Sequence, residues 1–442
     1  MKILDRLISR LSYLLIFFLP WQTRYFLRPG EINGGYCEYT TYSLYAVDLL
    51  ILLLAGLSLI RAIKAREKIR LRGAWLLVII FTIAAAALTL AGIDLTLSLS
   101  RIFWLLAALF IAYLISACPA ISKRMAWRMF LLSAILPAIL GISQFVNNYA
   151  GSNKYLGLAE QRPEVLGVSV VEYNSNLGVE RQLRAYGPFG HPNILGGFLV
   201  LVLLSAVIYF RRRKNCDWYQ ARPRLFLVLF GLYFILITSA LILSFSRAAI
   251  LAALLSIFVY WFLADPYSSR RQSQERSWVL GTVCLFLIFL SLSLYPLWSA
   301  RLDNENRLSV ISQSERLTGY SQAQKIVKDN WLLGVGLGNY TNSLVRIAPQ
   351  EPAYFYQPVH NVWLLILVET GIVGLLISLV LIFFLFLKYL PYNQPELAAF
   401  LSGLIVLTML DHWLFSLHFG WLLLGIIFSG AVWGIDQKRE EE

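Results

Sequence analysis

The stretch that decides the fold is residues 354–375, YFYQPVHNVWLLILVETGIVGL, where a polar segment ends and a long apolar run begins. The polar segment extends from Trp298 to Val359 and ends directly before His360-Asn361. It interrupts a chain in which 58% of the residues are hydrophobic. A polar segment of this size in such a chain predicts chemistry at one face of a membrane.

The composition excludes a soluble globular domain of the ordinary kind. Only 14% of the 442 residues are charged and the mean hydropathy is +0.65, so the apolar residues exceed what one core could bury. We count about twelve apolar runs that could cross about 30 Å of hydrocarbon, at residues 9–27, 43–63, 74–93, 98–117, 126–147, 192–210, 225–243, 247–264, 278–297, 361–388, 396–411 and 415–434.

These runs predict an all-α integral membrane protein with about 12 transmembrane helices. It forms a single polytopic domain over residues 1–442, into which an extracytoplasmic, partly helical loop is inserted at 298–359, between late helices. The first run is preceded by Lys2 and Arg6, as a signal peptide would be, but Pro20-Trp21-Gln22 stands where a cleavage site would need small residues. We therefore predict an anchor helix that is broken or tilted near Pro20 and reaches toward Leu27.

Basic residues predict the orientation, because Lys and Arg near membrane ends are retained on the cytoplasmic side. They cluster in alternate loops, at 61–72, 123–128, 211–214 and 270–276. Both termini are then cytoplasmic, and the large polar segments at 147–191 and 298–359 share the outer face. Topology and attraction to anionic membrane lipids account for the net charge of +13, which leaves no need for a nucleic-acid partner.

The sequence offers no support for a cofactor or a metal ion. The four cysteines are scattered over different depths, and there is no H-E-x-x-H, G-x-S-x-G or Cys/His cluster. Asp303-Asn-Glu305 has the appearance of a metal-binding pair for a sugar nucleotide, but sugar nucleotides are not available on the outer face. We expect a mechanism without a metal.

The first candidate site segment is Arg184-Ala-Tyr-Gly-Pro-Phe-Gly-His-Pro-Asn193, which leads into a helix. Its glycines and prolines make a rigid entry that can present backbone N–H groups and the positive helix end to an anion. The alternative is a helix-entry turn with Asn193 as the cap and Arg184 extended to the interface.

The second segment is Ser244-Phe-Ser-Arg247, a turn between two apolar runs without Gly, Pro or an acid. An arginine inside the membrane costs about 2.5 to 3.5 kcal/mol on insertion scales, so Arg247 needs a partner: a distant acid such as Glu369, or a ligand anion. A helix-end arginine reaching the interface is the alternative.

The third segment is the 298–359 loop. Ser312 and Glu315 have capping-box spacing, and an apolar stripe at helical spacing, from Leu317 through Tyr320 to Trp331, predicts an amphipathic helix over Ser314 to Lys328. Arg316 would lie in its first turn, where the helix dipole disfavours a cation, which favours a ligand-facing role.

The glycines that follow this helix, including Gly336 and Gly338, fit no phosphate-loop motif and are expected to allow a close turn against the membrane domain. The aromatic residues from Tyr340 to Tyr356 suit sugar rings or, alternatively, an interfacial aromatic belt.

His360 stands at the mouth of a membrane helix, and an imidazole can take a proton from a hydroxyl near neutral pH. A structural histidine is the alternative. The ordered set of Arg184 with GPFGHPN, SFSR, Arg316, GVGLGN and HN with ETGIVGL resembles the O-antigen ligase and polymerase superfamily, over about Arg184 to Leu375.

The resemblance implies a metal-independent, inverting glycosyltransferase of lipopolysaccharide or cell-envelope polysaccharide biosynthesis in the bacterial cytoplasmic (inner) membrane. Its donor would be an undecaprenyl-pyrophosphate-linked glycan, and its acceptor a lipid A-core-like glycolipid or another glycan. The resemblance assigns Arg184, Arg247 and Arg316 to the pyrophosphate and His360 to general-base catalysis. The supporting residues it implies are Asn193, Asn361, Glu369, Tyr320, Gly336 and Gly338, with Tyr320 standing where relatives often have tryptophan.

An O-antigen ligase is the favoured function, and a repeat-unit polymerase of the same superfamily is the alternative. A transporter or flippase for a lipid or an anion is a third possibility. Transporters usually have two related halves with midplane sites, whereas here the polar candidates cluster at one face and no repeat is visible.

Overall fold

The computed structural model describes residues 1–65, 82–83, 86–87, 92–176, 178–211, 217–263, 288–290, 292–389 and 395–430. Within these residues the protein is mostly helical. The helices are α1 Lys2–Phe18, α2 Ala46–Ala65, α3 Leu95–Ala117, α4 Lys123–Leu132, α5 Ile135–Val146, α6 Pro192–Arg211, α7 Asp217–Ala221, α8 Pro223–Leu243, α9 Arg247–Leu263, α10 Tyr295–Leu302, α11 Arg307–Asn330, α12 Tyr340–Ile347, α13 Val362–Tyr389, α14 Pro395–Leu410, α15 Trp413–Ser416 and α16 His418–Phe428.

Three small antiparallel ribbons lie in the connections between helices. The strands are β1 Arg24–Arg28, β2 Glu31–Ile32, β3 Gly35–Tyr36, β4 Tyr42–Tyr45, β5 Val170–Ser175 and β6 Gly178–Leu183. β1 pairs with β4, β2 with β3, and β5 with β6. Arg184 follows directly after the last residue of the β5–β6 ribbon, Leu183, which pairs with Val170.

Within the described residues, six segments are long and apolar enough to cross a membrane: Ala46–Ala65, Leu95–Ala117, Lys123–Val146, Pro192–Phe210, Pro223–Leu243 and Val362–Phe383. Three shorter apolar helices are Arg247–Leu263, Pro395–Leu410 and His418–Phe428. These segments agree with an all-α membrane protein, but they do not confirm twelve spans. The predicted runs at 74–93 and 278–297 lie largely outside the described residues.

The prediction for the first apolar run was wrong at its end. Helix α1 ends at Phe18, and the chain turns at Leu19-Pro20 into strand β1. Leu19 still has helical backbone, but Pro20 has no N–H to donate to the preceding turn and its ring clashes with that turn, which explains why the helix does not continue. Tyr25 and Leu27 are exposed in β1 rather than extending a membrane helix.

Helix α6 is the centre of the bundle, and its side chains from Leu195 to Val202 pack on all sides. A Cβ at Gly196 would lie 2.8 Å from Ser244 Oγ, and one at Gly197 would lie 2.7 Å from Trp413 Cζ2. Two adjacent glycines therefore let the turn after α8 and the short helix α15 approach the α6 backbone from different directions. The residues of those turns belong to the site described below.

The polar segment 298–359 contains one long helix, but its start differs from the prediction. Helix α11 begins at Arg307 with Asn306 as its N-cap, whose side chain accepts a hydrogen bond from Leu308 N. The predicted capping box at Ser312 and Glu315 was therefore wrong, because these residues lie inside the helix. Arg316 consequently lies well inside the helix rather than in its first turn.

The predicted apolar stripe on α11 is only partly buried. Ala323 is buried and Val327 packs beside it, on the side of the helix that faces α12 and α13. Leu317 and Trp331 are exposed to 69% and 58%. The helix is therefore fixed by its C-terminal half, and its N-terminal half presents apolar side chains outward.

The glycine-rich segment after α11 packs against a break in α13, as predicted for a close turn. Gly371 has φ 66° and interrupts the helix, which frees carbonyl oxygens that would otherwise accept intrahelical bonds. Val335 N donates to Val368 O at 3.0 Å, and Gly336 N donates to Glu369 O at 2.8 Å. The segment thus satisfies backbone groups that could not remain unpaired in a lipid environment.

Gly334→Ala tests this packing. Gly334 has φ +72°, and a Cβ there would lie 2.5 Å from the carbonyl carbon of Glu369. The left-handed conformation alone costs roughly 1 to 2 kcal/mol, and the clash adds to it. We expect a lower thermal midpoint for the purified protein in detergent.

The control is Gly56→Ala in α2, where nothing lies within 4 Å of the added carbon. Alanine favours a helix interior by about 1 kcal/mol over glycine, so this variant should be neutral or slightly more stable. Equal midpoints for Gly334→Ala and the wild type would contradict the packing described above.

Candidate functional site

The candidate site lies at one end of the helix bundle, where α6, α9 and α13 begin and α8 and α14 end. The residues that meet there come from distant parts of the chain: Arg184, Asn193, Arg247, His360 and Asp411. Arg184 and Asp411 are 3% and 6% exposed. Charged groups of both signs are therefore held away from solvent at this end.

Arg184 is fixed by two hydrogen bonds of 2.8 Å. Its Nε donates to Ser244 O, and its Nη2 donates to Asn193 Oδ1. Asn193 Nδ2 in turn contacts Asp411 Oδ2 at 3.3 Å. The capping alternative for Asn193 is therefore wrong, because Asn193 lies inside α6 and its side chain links Arg184 to Asp411. Burial likewise excludes an interface-seeking role for Arg184.

The Ser244–Arg247 turn is built without glycine, and Phe245 takes the conformation that glycine would favour. Phe245 has φ 46° and is fully buried, with its ring 4.7 Å from that of Trp298 and 6.0 Å from that of Phe145. The strain of such backbone is tolerated where packing determines it. The turn presents its carbonyl groups to two arginines: Ser244 O accepts from Arg184, and Phe245 O accepts from Arg301 Nε at 3.2 Å.

Four arginines form one electrostatic group at this turn: Arg184, Arg247, Arg301 and Arg316. Burial and then the charges of Arg247 and Arg316 lower the pKa of Arg301 to about 10. Burial and then the charge of Arg301 lower the pKa of Arg184. Within the described part of the chain, no carboxylate lies within 4 Å of any of the four. Such a group is suited to a multiply charged anion.

Glu369 is not the partner of Arg247 that the sequence left open. Its Oε2 accepts from Gly338 N at 2.7 Å, and its Oε1 lies 3.4 Å from Tyr340 N. The carboxylate thus holds the glycine-rich segment against α13.

His360 lies beside Asp411, with His360 Nδ1 and Asp411 Oδ1 separated by 3.5 Å. This distance suits an ion pair but is long for a hydrogen bond, and among the described residues no other polar atom bonds His360 Nδ1. Such contacts often shorten when substrate binds. A proton on Nδ1, facing Asp411, leaves the lone pair of Nε2 for an incoming hydroxyl.

Asp411 remains ionised despite its burial. Burial alone would raise the pKa of Asp411, but the nearby His360 lowers it below its ordinary value. The backbone N–H of His412 also donates to Asp411 Oδ1 at 2.8 Å. A buried carboxylate is therefore available to orient His360.

Two other histidines border the site but stay neutral. Burial and then the charge of Arg184 lower the pKa of His191 to about 3. Burial and then the charge of His360 lower the pKa of His412 to about 3. His191 is held by Ser169 Oγ at 2.8 Å, and His412 by Ser416 Oγ at 2.7 Å.

A metal ion is the alternative occupant of this histidine group. His360, Asp411 and His412 each offer one ligand atom, and these atoms lie within 4.8 Å of one another. The neighbouring arginine charges oppose the entry of another cation. The metal-free mechanism expected from the sequence remains a prediction.

The remaining sequence candidates have structural contacts. Asn361 Oδ1 accepts from Leu364 N at 2.9 Å, which caps α13, and Asn361 Nδ2 donates to Met409 O at 3.2 Å. Asn361 thereby ties the start of α13 to the end of α14, beside Asp411. Gly336 belongs to the segment that packs on the α13 break, and Tyr320 is 38% exposed on α11.

The sequence reading missed Asp411 and Arg301. Asp411-His412 lies between two apolar runs, and a charged residue in that position is a functional signal in a membrane protein. Arg301 lies at the end of the apolar run 278–297, where a basic residue is ordinary. Its role becomes visible only when the fold brings it to the Phe245 carbonyl.

Residues 232–379 match the family model described as O-antigen ligase. This match supports the resemblance to the O-antigen ligase and polymerase superfamily. The matched region contains Arg247, Arg301, Arg316 and His360, while the remaining site residues lie on either side of it. No curated protein matches the chain. The superfamily and the apolar helices together indicate an integral membrane enzyme of the inner membrane.

Arg301→Gln tests the arginine group directly. We expect inorganic pyrophosphate to raise the thermal midpoint of the purified wild-type protein, and Arg301→Gln to bind it about tenfold or more weakly. One charged hydrogen bond is worth roughly 1.5 to 3 kcal/mol, which supports that magnitude.

The matched control is Arg307→Gln on the neighbouring helix, because Arg307 already pairs with Glu172 at 2.6 Å. This variant should bind pyrophosphate as the wild type does. Equal weakening by both substitutions would indicate nonspecific charge attraction and would contradict a defined site.

Proposed function

We propose that the protein is an O-antigen ligase: it transfers a polysaccharide or oligosaccharide from undecaprenyl pyrophosphate to a lipid A-core-like glycolipid. The observation that carries the proposal is the chain of contacts from Arg184 through Asn193 and Asp411 to His360. It connects the arginine group, which has no carboxylate partner in the described part of the chain, to a histidine that can act as a base. The superfamily supplies the class of substrate.

The arginines are suited to the leaving group. A glycosyl pyrophosphate develops additional negative charge on the leaving oxygen as its bond to the anomeric carbon breaks. Fixed guanidinium groups in a site with little water stabilise that charge without reorganising. Arg184 and Arg301 are already fixed by the carbonyls of the 244–245 turn, so their orientation precedes substrate binding.

His360 completes a single displacement. Its Nε2 takes the proton of the acceptor hydroxyl as that oxygen attacks the anomeric carbon. The bond between the anomeric carbon and the pyrophosphate oxygen breaks, and undecaprenyl pyrophosphate leaves with the electron pair. Asp411 stabilises the imidazolium that forms. One displacement inverts the anomeric configuration, and the arginines carry the charge that a metal ion would otherwise neutralise.

The site would face the periplasm, with both termini in the cytoplasm, as the distribution of basic residues favours. A repeat-unit polymerase is the second candidate, because it would use the same donor and the same base. The acceptor separates the two: a ligase modifies the lipid A-core, whereas a polymerase extends a second lipid-linked repeat. Loss of a ligase would accumulate long lipid-linked polymer, and loss of a polymerase would accumulate single repeats.

His360→Ala tests the reaction. With a defined undecaprenyl-pyrophosphate oligosaccharide and purified lipid A-core, we expect the wild type to form the ligated glycolipid. The variant should lose activity by about 100-fold or more, the usual contribution of a general base, while it still binds the donor.

Gln357→Ala is the control, because Gln357 is exposed and its side chain hydrogen-bonds only Tyr354 O among the described residues. It should transfer normally. Normal transfer by His360→Ala would remove the proposed base. Elongated lipid-linked repeats in place of ligated glycolipid would identify a polymerase.

The pH dependence should report one base. We expect kcat/KM to fall as the pH decreases, because a protonated base cannot accept the proton of the acceptor hydroxyl. Burial holds the pKa of both His412 and His191 at about 3, so both side chains stay neutral from pH 5 to 8. His412→Asn and His191→Asn should therefore leave the midpoint of the acidic limb in place.

A shifted midpoint in either variant would show that the neighbouring histidine titrates with His360. That result would contradict the assignment of the proton transfer to His360 alone. The measurement is the initial rate of transfer against pH at subsaturating acceptor.

A further inference from the structure

A second polar pocket lies beside the histidine group, and the reaction described above makes no use of it. Arg101 of α3 and Glu369 of α13 both line it, together with the aromatic rings of Tyr39, Phe415 and Trp421. It has room for about one water molecule. Its polar walls come from two helices, with the glycine-rich segment between them.

Arg101 is an unusual residue to bury in a membrane-spanning helix. It is 4% exposed, its guanidinium carbon lies 3.8 Å from the ring centre of Trp104, and Nη2 donates to Tyr39 O at 2.9 Å. Nη1 is buried and has no hydrogen-bond partner in the described part of the chain. An unmade bond from a buried charged group is costly, which favours a ligand that supplies the acceptor.

Glu369 supplies the complementary chemistry. Its two oxygens each face one backbone N–H, of Gly338 and Tyr340, and each retains a free lone pair. Among the described residues, no ion pair within 4 Å joins Glu369 to Arg101. A carboxylate ligand would be repelled by Glu369, and an ammonium ligand by Arg101. A hydroxyl group satisfies both, because it accepts from Nη1 and donates to the carboxylate.

The surroundings indicate whose hydroxyl this is. Aromatic rings suit the apolar faces of a sugar. Ser416 lines the pocket and contacts His412 Nδ1 at 2.7 Å, and the His412 ring lies 4.9 Å from the His360 ring. The arginine group, by contrast, is connected to His360 by the contacts of Asp411 and Asn193. The pocket and the pyrophosphate site therefore adjoin His360 through different neighbours.

We propose that this pocket recognises one hydroxyl group of the acceptor sugar, through the free N–H of Arg101 and the carboxylate of Glu369. The proposal rests on the proposed function, because only that function makes the bound sugar an acceptor. A bound hydroxyl at this point places the acceptor ring beside His360 while a neighbouring hydroxyl is deprotonated.

The first test is kinetic and uses the full-length protein in detergent. Arg101→Lys keeps the positive charge and removes the free donor. We expect the KM for the acceptor to rise about tenfold to 100-fold, the range for a hydrogen bond to a charged group, with the KM for the lipid-linked donor unchanged. The control is Arg61→Lys, a buried arginine of α2 that pairs with Asp5 at 2.7 Å, which should change neither value.

A donor KM that rises with Arg101→Lys would overturn the proposal, and so would an unchanged acceptor KM. If Arg101→Lys does not accumulate as folded protein, Glu369→Gln serves the same test, because it keeps the shape of the side chain and removes the charged acceptor.

The second test identifies the hydroxyl and does not need the reaction. Binding of methyl hexosides and their monodeoxy derivatives is followed by saturation-transfer NMR without donor. We expect one deoxy position to weaken binding about tenfold or more in the wild type and to have no further effect in Arg101→Lys. Equal effects of every deoxy position in both proteins would overturn the proposal.

The two tests separate the pocket from the reaction. Hexoside binding that depends on Arg101, without any glycosyl transfer, would retain the pocket and remove the proposed function. Transfer that is indifferent to Arg101 would retain the proposed function and remove the pocket.

Discussion

The uncompensated positive charge at the Ser244–Phe245 turn is the constraint on which the site depends. Four guanidinium groups share one region, and Asn193 links one of them, Arg184, to the carboxylate of Asp411. Charges of one sign repel strongly where water is scarce, so the arrangement is stable only because backbone carbonyls fix Arg184 and Arg301. The positive charge of these arginines can therefore attract an anion that is not part of the chain.

The turn that holds these arginines depends in turn on packing. Phe245 occupies a left-handed conformation between Phe145 and Trp298, and Gly196 leaves room for Ser244. A glycine at position 245 would relieve the strain but would lose both ring contacts. The aromatic residue therefore fixes the directions of two carbonyl groups more rigidly than a flexible turn could.

The break in helix α13 fixes the position of the other half of the site, which contains His360. A break in a membrane helix exposes backbone carbonyls that lipid cannot satisfy, and the segment from Val335 to Asn339 supplies the missing N–H groups. Because Glu369 also accepts from that segment, the end of the 298–359 loop is held at a defined depth. His360 then stands at the start of α13 with Asn361 as its cap.

Much of this could be predicted from the sequence, and the failures have physical causes. Motif order placed Arg184, Arg247 and His360 at one site because each adjoins the end of an apolar run. The α11 start was misplaced because a Ser-x-x-Glu spacing also occurs inside helices, and Asn306 provided the stronger cap. Arg301 carries no local signal, since an arginine near a helix end is ordinary until its partners in space are known.

The position of Asp411 shows why assigning the base to His360 alone was incomplete. A lone imidazole at a helix mouth can accept a proton, but the resulting cation would lie close to the arginine group and would be disfavoured by it. The buried carboxylate of Asp411, which lies 3.5 Å from His360 Nδ1, offsets that repulsion at the moment the proton arrives. The acid is therefore required on the same side as the arginines, and Asn193 keeps it there without letting it form an ion pair with Arg184. The pyrophosphate site retains its positive charge, and His360 retains its counter-charge, because one amide separates the two.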